Sequence, residues 1–333
     1  MQIIRGVQNF PETFRGAVVT IGNFDGVHLG HQAVFQTLRA LAGQHGAKAV
    51  AISFEPHPKR LLLPISAPAR ITGLRGKVRW MGRHGVDGLF LIRFTRDVAA
   101  LGPDRFVDRF LVGALQVREV LVGFNFRFGA GGKGTYPLLQ ELGARHGFGV
   151  HRQEACQLEG KTISSTRVRE CVQAGDFAMA ERLLGRPFEV EGRVVHGRSR
   201  GRGLGFPTAN FRLEGLLHPP PGVYVVEVLV DEVWLPAVAN LGDNPTFGGE
   251  GLRLEVHLLV TCGDIYRRVL RICFRKRLRD EIHFPDAGAL QARIVRDVAE
   301  ARAWFAADPH PMPKDRGHEE EDLTSTGRGI QKQ

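Results

Sequence analysis

Two histidines three residues apart, His28 and His31, follow a short apolar run and stand where a helical pattern begins. Val18-Val19-Thr20-Ile21 reads as a buried strand, and Gly22 and Gly26 turn the chain. From Gly30 onward Val34, Phe35, Leu38, Leu41 and Ala42 fall on one face at helical spacing. A strand therefore delivers two imidazoles to a helix N-terminus. Such a terminus carries unpaired N–H groups and a partial positive charge, and it binds anions. Imidazoles beside it can donate hydrogen bonds to a phosphate, and Gly30 between them leaves room for a nucleotide to come close. A metal pair is the other reading, but no third or fourth ligand sits nearby at metal-like spacing.

A second stretch of this kind is Lys161-Thr162-Ile163-Ser164-Ser165-Thr166-Arg167-Val168-Arg169. Hydroxyls ahead of an apolar-periodic helix are cap residues. With two arginines they make another anion site, since Arg neutralises charge with directed N–H bonds; a plain helix cap reads equally well. Gly129 to Gly134 formally matches G-x-G-x-x-G, but Phe-rich residues separate it from the preceding strand, so a dinucleotide fingerprint is a weak reading. A glycine loop with aromatic walls suits a planar ligand and its phosphate better. Phe124, Phe126 and Phe128 also fit strand alternation, with at least one in the core. Glu55-Pro56-His57-Pro58 ends a strand and places His57 either in a ligand pocket or packed in a rigid loop.

Further on, Gly197 to Asn210 is a loop of glycine and arginine. It lacks the Lys-Ser/Thr of a Walker P-loop, which excludes a kinase of that type. Its backbone N–H groups can cradle phosphates, and Thr208 and Asn210 offer neutral oxygens to Mg²⁺. Read without context it is a flexible basic loop. By spacing alone Glu255 is an outward polar residue on a strand.

These residues need elements to hold them. Strands at Lys48–Phe54, Gly88–Ile92, Val120–Val122 and Gly149–Arg152 alternate with helices, one capped by Thr72 and running to His84, others near Asp104–Leu115 and Tyr136–His146. That alternation predicts an α/β, doubly wound parallel sheet. After Gly185-Arg186-Pro187 the pattern changes to short strands separated by turns, from Phe188 to Phe274, which predicts a closed antiparallel barrel. A helix carrying Leu290, Ile294, Val298 and Ala301 then packs on it. The expected domains are 1–185, 186–307 and a disordered Pro- and Glu-rich tail, 308–333.

With 333 residues, 43% of them apolar and 24% charged, the chain has room for two ordinary soluble cores. No apolar run reaches the roughly 20 residues of a membrane helix, no signal peptide is visible, and the four cysteines form no C-x-x-C pair. A cytoplasmic protein with reduced thiols is expected. The net charge of +10 lies in the body, because the tail has more acids than bases. No nucleic-acid motif with stacking aromatics accompanies it, so neither nucleic acid nor membrane is an expected partner. Weak self-association is compatible with the sequence.

The string Phe24-Asp25-Gly26-Val27-His28-Leu29-Gly30-His31 resembles the His-x-Gly-His signature of the nucleotidyltransferase superfamily, and Ile163-Ser164-Ser165-Thr166-Arg167-Val168-Arg169 resembles its second phosphate signature. Gly205-Phe206-Pro207-Thr208-Ala209-Asn210, Gly222-Val223-Tyr224, Ala239 to Phe247 and Leu254-Glu255-Val256-His257 resemble riboflavin kinase. Together the chain resembles the prokaryotic bifunctional riboflavin kinase/FAD synthetases over about residues 15 to 305. The resemblance implies a Rossmann-like FMN adenylyltransferase followed by a β-barrel riboflavin kinase, with ATP, riboflavin and FMN as small-molecule substrates and Mg²⁺ at both sites. It implies Glu255, His28 and His31 as catalytic residues. ATP and its phosphates would lie on Gly22, Phe24, Asp25, Gly30, Ser164, Ser165, Thr166, Arg167, Gly203, Gly205 and Pro207. Asn125, Arg279 and Glu281 would meet flavin, and Thr208 and Asn210 the metal. Two positions depart from the family pattern: Val260 stands where an Asp is usual, and Arg267 follows Tyr266 where a Gly is common. A nucleotidyltransferase acting on another phosphorylated substrate, and a non-catalytic binding regulator, are the rival readings.

Overall fold

The computed structural model describes residues 1–195, 205–213, 215–243 and 252–307. The chain folds as two units, Met1–Glu191 with Leu213–Pro220, and Gly192–Arg212 with the chain from Pro221 onward.

The first unit runs β1 (Gln2–Arg5), β2 (Val18–Ile21), α1 (Leu29–Gln44), β3 (Ala49–Glu55), α2 (Pro58–Leu62), α3 (Leu74–Arg83), β4 (Gly88–Arg93), α4 (Arg96–Ala99) and α5 (Pro103–Phe106), which continues as a π-helix over Val107–Leu115. Then come β5 (Glu119–Gly123), α6 (Tyr136–His146), β6 (Gly149–Gln153), a small hairpin β7 (Gln157–Leu158) and β8 (Lys161–Thr162), α7 (Ser165–Gln173) and α8 (Phe177–Leu184). Six strands form one sheet in the order β1-β4-β3-β2-β5-β6, and every pairing is parallel.

Successive residues of a strand face opposite sides, so each strand feeds two cores. Val19, Ile21, Val50, Ile52, Phe90 and Val120 pack with Phe106, Phe110 and Leu139 on one face. Val18, Ala49, Ala51, Leu89 and Leu121 pack with Phe35, Leu38 and Met81 on the other. The sheet is doubly wound, and β2 at its middle ends where the polar loops gather. Two local expectations are corrected. The sheet gains a four-residue edge strand, β1, ahead of the first strand that the sequence pattern predicts. Thr72 does not cap α3: Gly73 holds that position without a side-chain bond, and the Thr72 N–H donates instead to Asp25 Oδ1 at 3.2 Å.

The second unit is a closed barrel of β9 (Glu189–Val195), β10 (Ala209–Arg212), β11 (Gly222–Val230), β12 (Val233–Asp243), β13 (Leu252–Leu258) and β14 (Val269–Arg279), in the order β10-β13-β12-β11-β14-β9, followed by α9 (Ala287–Ala307). Phe211, Tyr224, Val226, Ala239, Leu254, Val256 and Phe274 are buried on the inner face, with Tyr224 and Phe274 edge to face at 5.3 Å. Val223, Val225 and Val238 lie on the outer face, where α9 covers them with Val298, Ala301, Trp304 and Phe305. The sequence shows β10 only as the end of a loop, because its four residues form no apolar run of the kind that marks β2.

Candidate active sites

The first site is built on the turn between β2 and α1. This turn is held tightly: a Cβ at Gly22 would stand 2.9 Å from the Phe24 ring, and Phe24 and Val27 both adopt positive φ, at 50° and 42°. His28 caps α1, its Nδ1 accepting the His31 N–H at 3.3 Å. The two imidazoles are stacked with centroids 3.6 Å apart, and Phe24 meets His31 edge to face at 5.3 Å. Burial, helped by the Arg186 guanidinium, pushes His28 down to about 4. Burial holds His31 well below the usual imidazole range, with the charges of His28, Lys77 and Arg186 adding to the effect. Both rings are therefore neutral at pH 7. Since His28 Nδ1 is an acceptor, its proton sits on Nε2, which is left to donate to a ligand.

Asp25 is 5% exposed. Its carboxylate accepts the N–H groups of Ile71 and Thr72 at 3.1 and 3.2 Å and is paired with Arg169 at 2.5 Å. Its backbone carbonyl accepts the Ser165 hydroxyl at 2.9 Å. Asp25 thus draws α7 onto the histidine turn. Ser164 caps α7 by accepting the Arg167 N–H at 3.3 Å. A Cβ at Gly30 would stand 3.2 Å from the His28 ring and 3.5 Å from the Ile163 carbonyl. The two helix starts, far apart in sequence, are therefore neighbours, and the first N–H groups of a helix have no partner within it. Thr166 is exposed at that start. Arg167 turns its guanidinium to the Leu158 and Lys161 carbonyls and so holds the β7–β8 hairpin.

Two residues beside this space carry no motif in the sequence. Lys77, on α3, donates Nζ to the Asn23 carbonyl at 2.7 Å. It lines a polar pocket with Asp25, Phe54, Glu55, His57, Arg70, Thr72 and Leu74. The signal available was a lysine on the buried stripe of α3, beside Gly76 and Met81. Arg186 reads in the sequence as the end of a helix; its guanidinium donates to the carbonyls of Gly26 and Val27 at 2.7 and 3.1 Å and stacks on Trp80 at 4.2 Å. On the loop after β5, Phe128 enters the core with Phe126 stacked on it at 5.5 Å, while Phe124 and Asn125 are exposed.

The second site lies on the outer face of the barrel. In register, Asn210 on β10 is opposite Glu255 on β13, and Glu255 is opposite Asn240 on β12. Directly opposed residues share a face, so the amides of Asn210 and Asn240 flank the carboxylate. Leu254 and Val256 on either side of Glu255 point into the barrel. Thr208 is half-buried just ahead of β10, and the neighbouring Pro207 carbonyl meets His257 Nδ1 at 2.9 Å. Gly205, at φ +86°, is exposed. Residues 197–204 of the glycine-arginine loop, Gly203 among them, and Asn244 to Phe247 lie outside the described residues. The row continues through Val223 to Arg279, which is locked by Asp297 at 2.7 Å. Glu281 packs its carboxylate over Gly242.

Thr208 and Asn210 offer neutral oxygens of the kind that suits Mg²⁺. Among the described residues no three His, Cys, Asp or Glu side chains form a metal cage, so such an ion would be completed by phosphate oxygens and water. At the first departure from the family pattern Val260 is exposed after β13. At the second, Arg267 takes φ +63°, so the turn keeps a backbone that favours glycine although it carries an arginine.

A model of FAD synthetase matches residues 10–167, and a model of riboflavin kinase matches residues 184–305. The bifunctional riboflavin kinase/FMN adenylyltransferase of Pseudomonas fluorescens is 44% identical over 311 residues, covering 93% of this chain and 100% of the relative. Its counterpart in Escherichia coli K12 is 44% identical over 307 residues, with coverage of 92% and 98%. A crystal structure from Streptococcus pneumoniae, described as a macrolide-efflux protein, has the same fold with a TM-score of 0.81 and 31% identity, covering 91% of this chain and 100% of that one. Among the described residues no helix is long and apolar enough to cross a membrane.

Proposed function

The chain belongs to the bifunctional riboflavin kinase/FMN adenylyltransferases, and on that premise we propose how its residues divide the two reactions. It is an enzyme that phosphorylates riboflavin with ATP to give FMN, and adenylylates FMN with ATP to give FAD and pyrophosphate.

Phosphorylation falls to the barrel. Glu255 takes the proton of the riboflavin 5′-hydroxyl as that oxygen attacks the γ-phosphorus of ATP, and ADP leaves. A general base must lie within hydrogen-bond reach of the proton it takes, and the flanking Asn210 and Asn240 amides fix the carboxylate. Magnesium, held by Thr208 and Asn210 with phosphate oxygens, supplies charge neutralisation when bound. Arg279 and Glu281 border the flavin, and Gly203, Gly205 and Pro207 the nucleotide.

Adenylylation falls to the first unit. An oxygen of the FMN phosphate attacks the α-phosphorus of ATP, and pyrophosphate leaves with its electron pair. No enzyme nucleophile takes part. His28 donates from Nε2, and the starts of α1 and α7 supply N–H groups to the charge that builds on the phosphates. Asn125, exposed after β5, borders the flavin.

The observation that carries this reading is the meeting of the His28–His31 turn with the Ser164-capped helix through Asp25. The modules proposed are 1–185 and 186–307, with 308–333 a tail; Gly185 ending α8 in a left-handed conformation, φ +69°, supports the division. Four free cysteines support a cytoplasmic location. A chromatographic time course with riboflavin, ATP and Mg²⁺ tests the assignment. FMN should appear before FAD, His28→Ala should stop at FMN, and Glu255→Gln should convert only added FMN. FMN without FAD in the wild type would point to a different acceptor in the first unit.

A further inference from the structure

Lys77 is 7% exposed, and the hydrogen bond to the Asn23 carbonyl uses one of its three N–H groups. The carboxylates around it are engaged elsewhere: Asp25 is paired with Arg169 and Glu55 with Arg70, each at 2.5 Å. Among the described residues no carboxylate lies within ion-pair distance, 4.0 Å, of Lys77. Burial lowers its pKa, and the charges of Asp25 and Glu55, each already paired with an arginine, offset that only in part. The same turn holds two further unsatisfied groups, His31 Nδ1 and Asn23 Oδ1, both buried and without a partner. Lys77 acts electrostatically on His31, and its pocket opens beside the turn. A cation and an imidazole nitrogen are thus set in place before any ligand arrives. Water would leave the charge unpaired, whereas an anion with several oxygens satisfies both groups.

We propose that Lys77 is a catalytic residue of adenylylation, its ammonium binding phosphate oxygens of a reacting substrate in the pocket beside the β2–α1 turn. This rests on the adenylylation reading of the first unit. The chemistry is that of a phosphate, and it has two sources: the 5′-phosphate of FMN, or the β- and γ-phosphates of ATP that leave as pyrophosphate.

The test uses the full chain with Lys77→Met, Lys77→Gln and Lys77→Arg. Conversion of FMN to FAD is measured beside conversion of riboflavin to FMN by the same preparations, and binding of FMN and of inorganic pyrophosphate is measured by titration calorimetry. The Gln variant keeps an N–H donor, on a side chain one atom shorter, and removes the charge. Met and Gln should lower kcat/KM for adenylylation about 30-fold or more, Arg should retain most of it, and riboflavin phosphorylation should be unchanged. A rise in KM confined to FMN, with its binding heat lost, assigns the FMN phosphate. A rise in KM for ATP with loss of pyrophosphate binding assigns the triphosphate. Lys77→Gln within about threefold of wild type, or all variants binding both anions as the wild type does, overturns the proposal and leaves Lys77 a support for the turn. Failure of the wild type to make FAD would instead remove the adenylylation reading, while the calorimetry still decides whether Lys77 binds a phosphate.

Discussion

His28 and His31 lie ring against ring, 19° from parallel, with the Nδ1 of the first accepting the backbone N–H of the second. Two stacked imidazoles cannot both take a proton cheaply, and burial already disfavours the first one. The pair is a neutral donor set across the physiological range, which distinguishes it from exposed histidines that titrate near pH 6.5.

Once the second ionisation of the FMN phosphate, at about pH 6, is allowed for, adenylylation should lose the enzyme's own contribution only as His28 approaches its value of about 4. Stability follows the same group. Its folded pKa lies below the unfolded value, so the unfolded chain binds more protons between the two. The stabilisation is complete above about pH 6.5 and is lost as pH falls toward 4, by about 3 kcal/mol for His28 in full. Urea midpoints at pH 7 and pH 5 check this: the wild type should lose more stability than His28→Gln over that interval.

Arg186 holds three carbonyls, those of Gly26, Val27 and Leu184. Arg186→Leu takes the donor from the Gly26 carbonyl, while Gln32 Nε2 still reaches those of Val27 and Leu184 at 2.9 and 2.7 Å, so the cost is about 1–3 kcal/mol. It also removes a positive charge from the histidines. The acid limb of the adenylylation profile should consequently move to higher pH, a shift that a loss of packing alone would not produce. A pH–rate series on the variant decides between them.

Glu255→Gln should lower riboflavin phosphorylation by roughly 10²–10⁴-fold, the range for loss of a general base, and leave FMN adenylylation intact. Asn210→Ala should instead raise the Mg²⁺ concentration needed for half-maximal phosphorylation. Paired activity assays with a Mg²⁺ titration separate the two roles.

Arg267 occupies a left-handed backbone at φ +63°, a conformation that costs a side-chain-bearing residue roughly 1–2 kcal/mol. Part of that is returned by the greater freedom glycine has in the unfolded chain. Arg267→Gly should stabilise the barrel by about 0.5–1 kcal/mol, read as a rise in thermal midpoint with no change in either activity.

What could be read from the sequence was local. The strand–turn–helix around His28 and the cap of α7 each lie within a dozen residues, and their physics is that of one helix terminus. The alternating elements of the parallel sheet and the short strands of the barrel were legible for the same reason. β1 and β10 are as short as β2 but mix polar with apolar residues, so they show no apolar run and are set by the partners they pair with. Asp25 reads as a ligand contact, and its ties to two amides more than forty residues on and to Arg169 are not visible in the sequence. Lys77 and Arg186 gain their meaning from burial against distant carbonyls, which no spacing rule reports. Thr72 had the right type for a cap but stands one residue too early, because Asp25 claims its N–H.

The pairing of β13 has a consequence for quality control. Leu254 and Val256 fill the inside of the barrel, and Glu255 between them faces outward opposite Asn210. A slip of one residue would turn the carboxylate into the apolar interior and expel both aliphatic neighbours. A misaligned barrel is therefore a barrel that does not form. The apolar residues proofread the placement of a group they never touch chemically, so every molecule that reaches the folded state carries its glutamate on the working side.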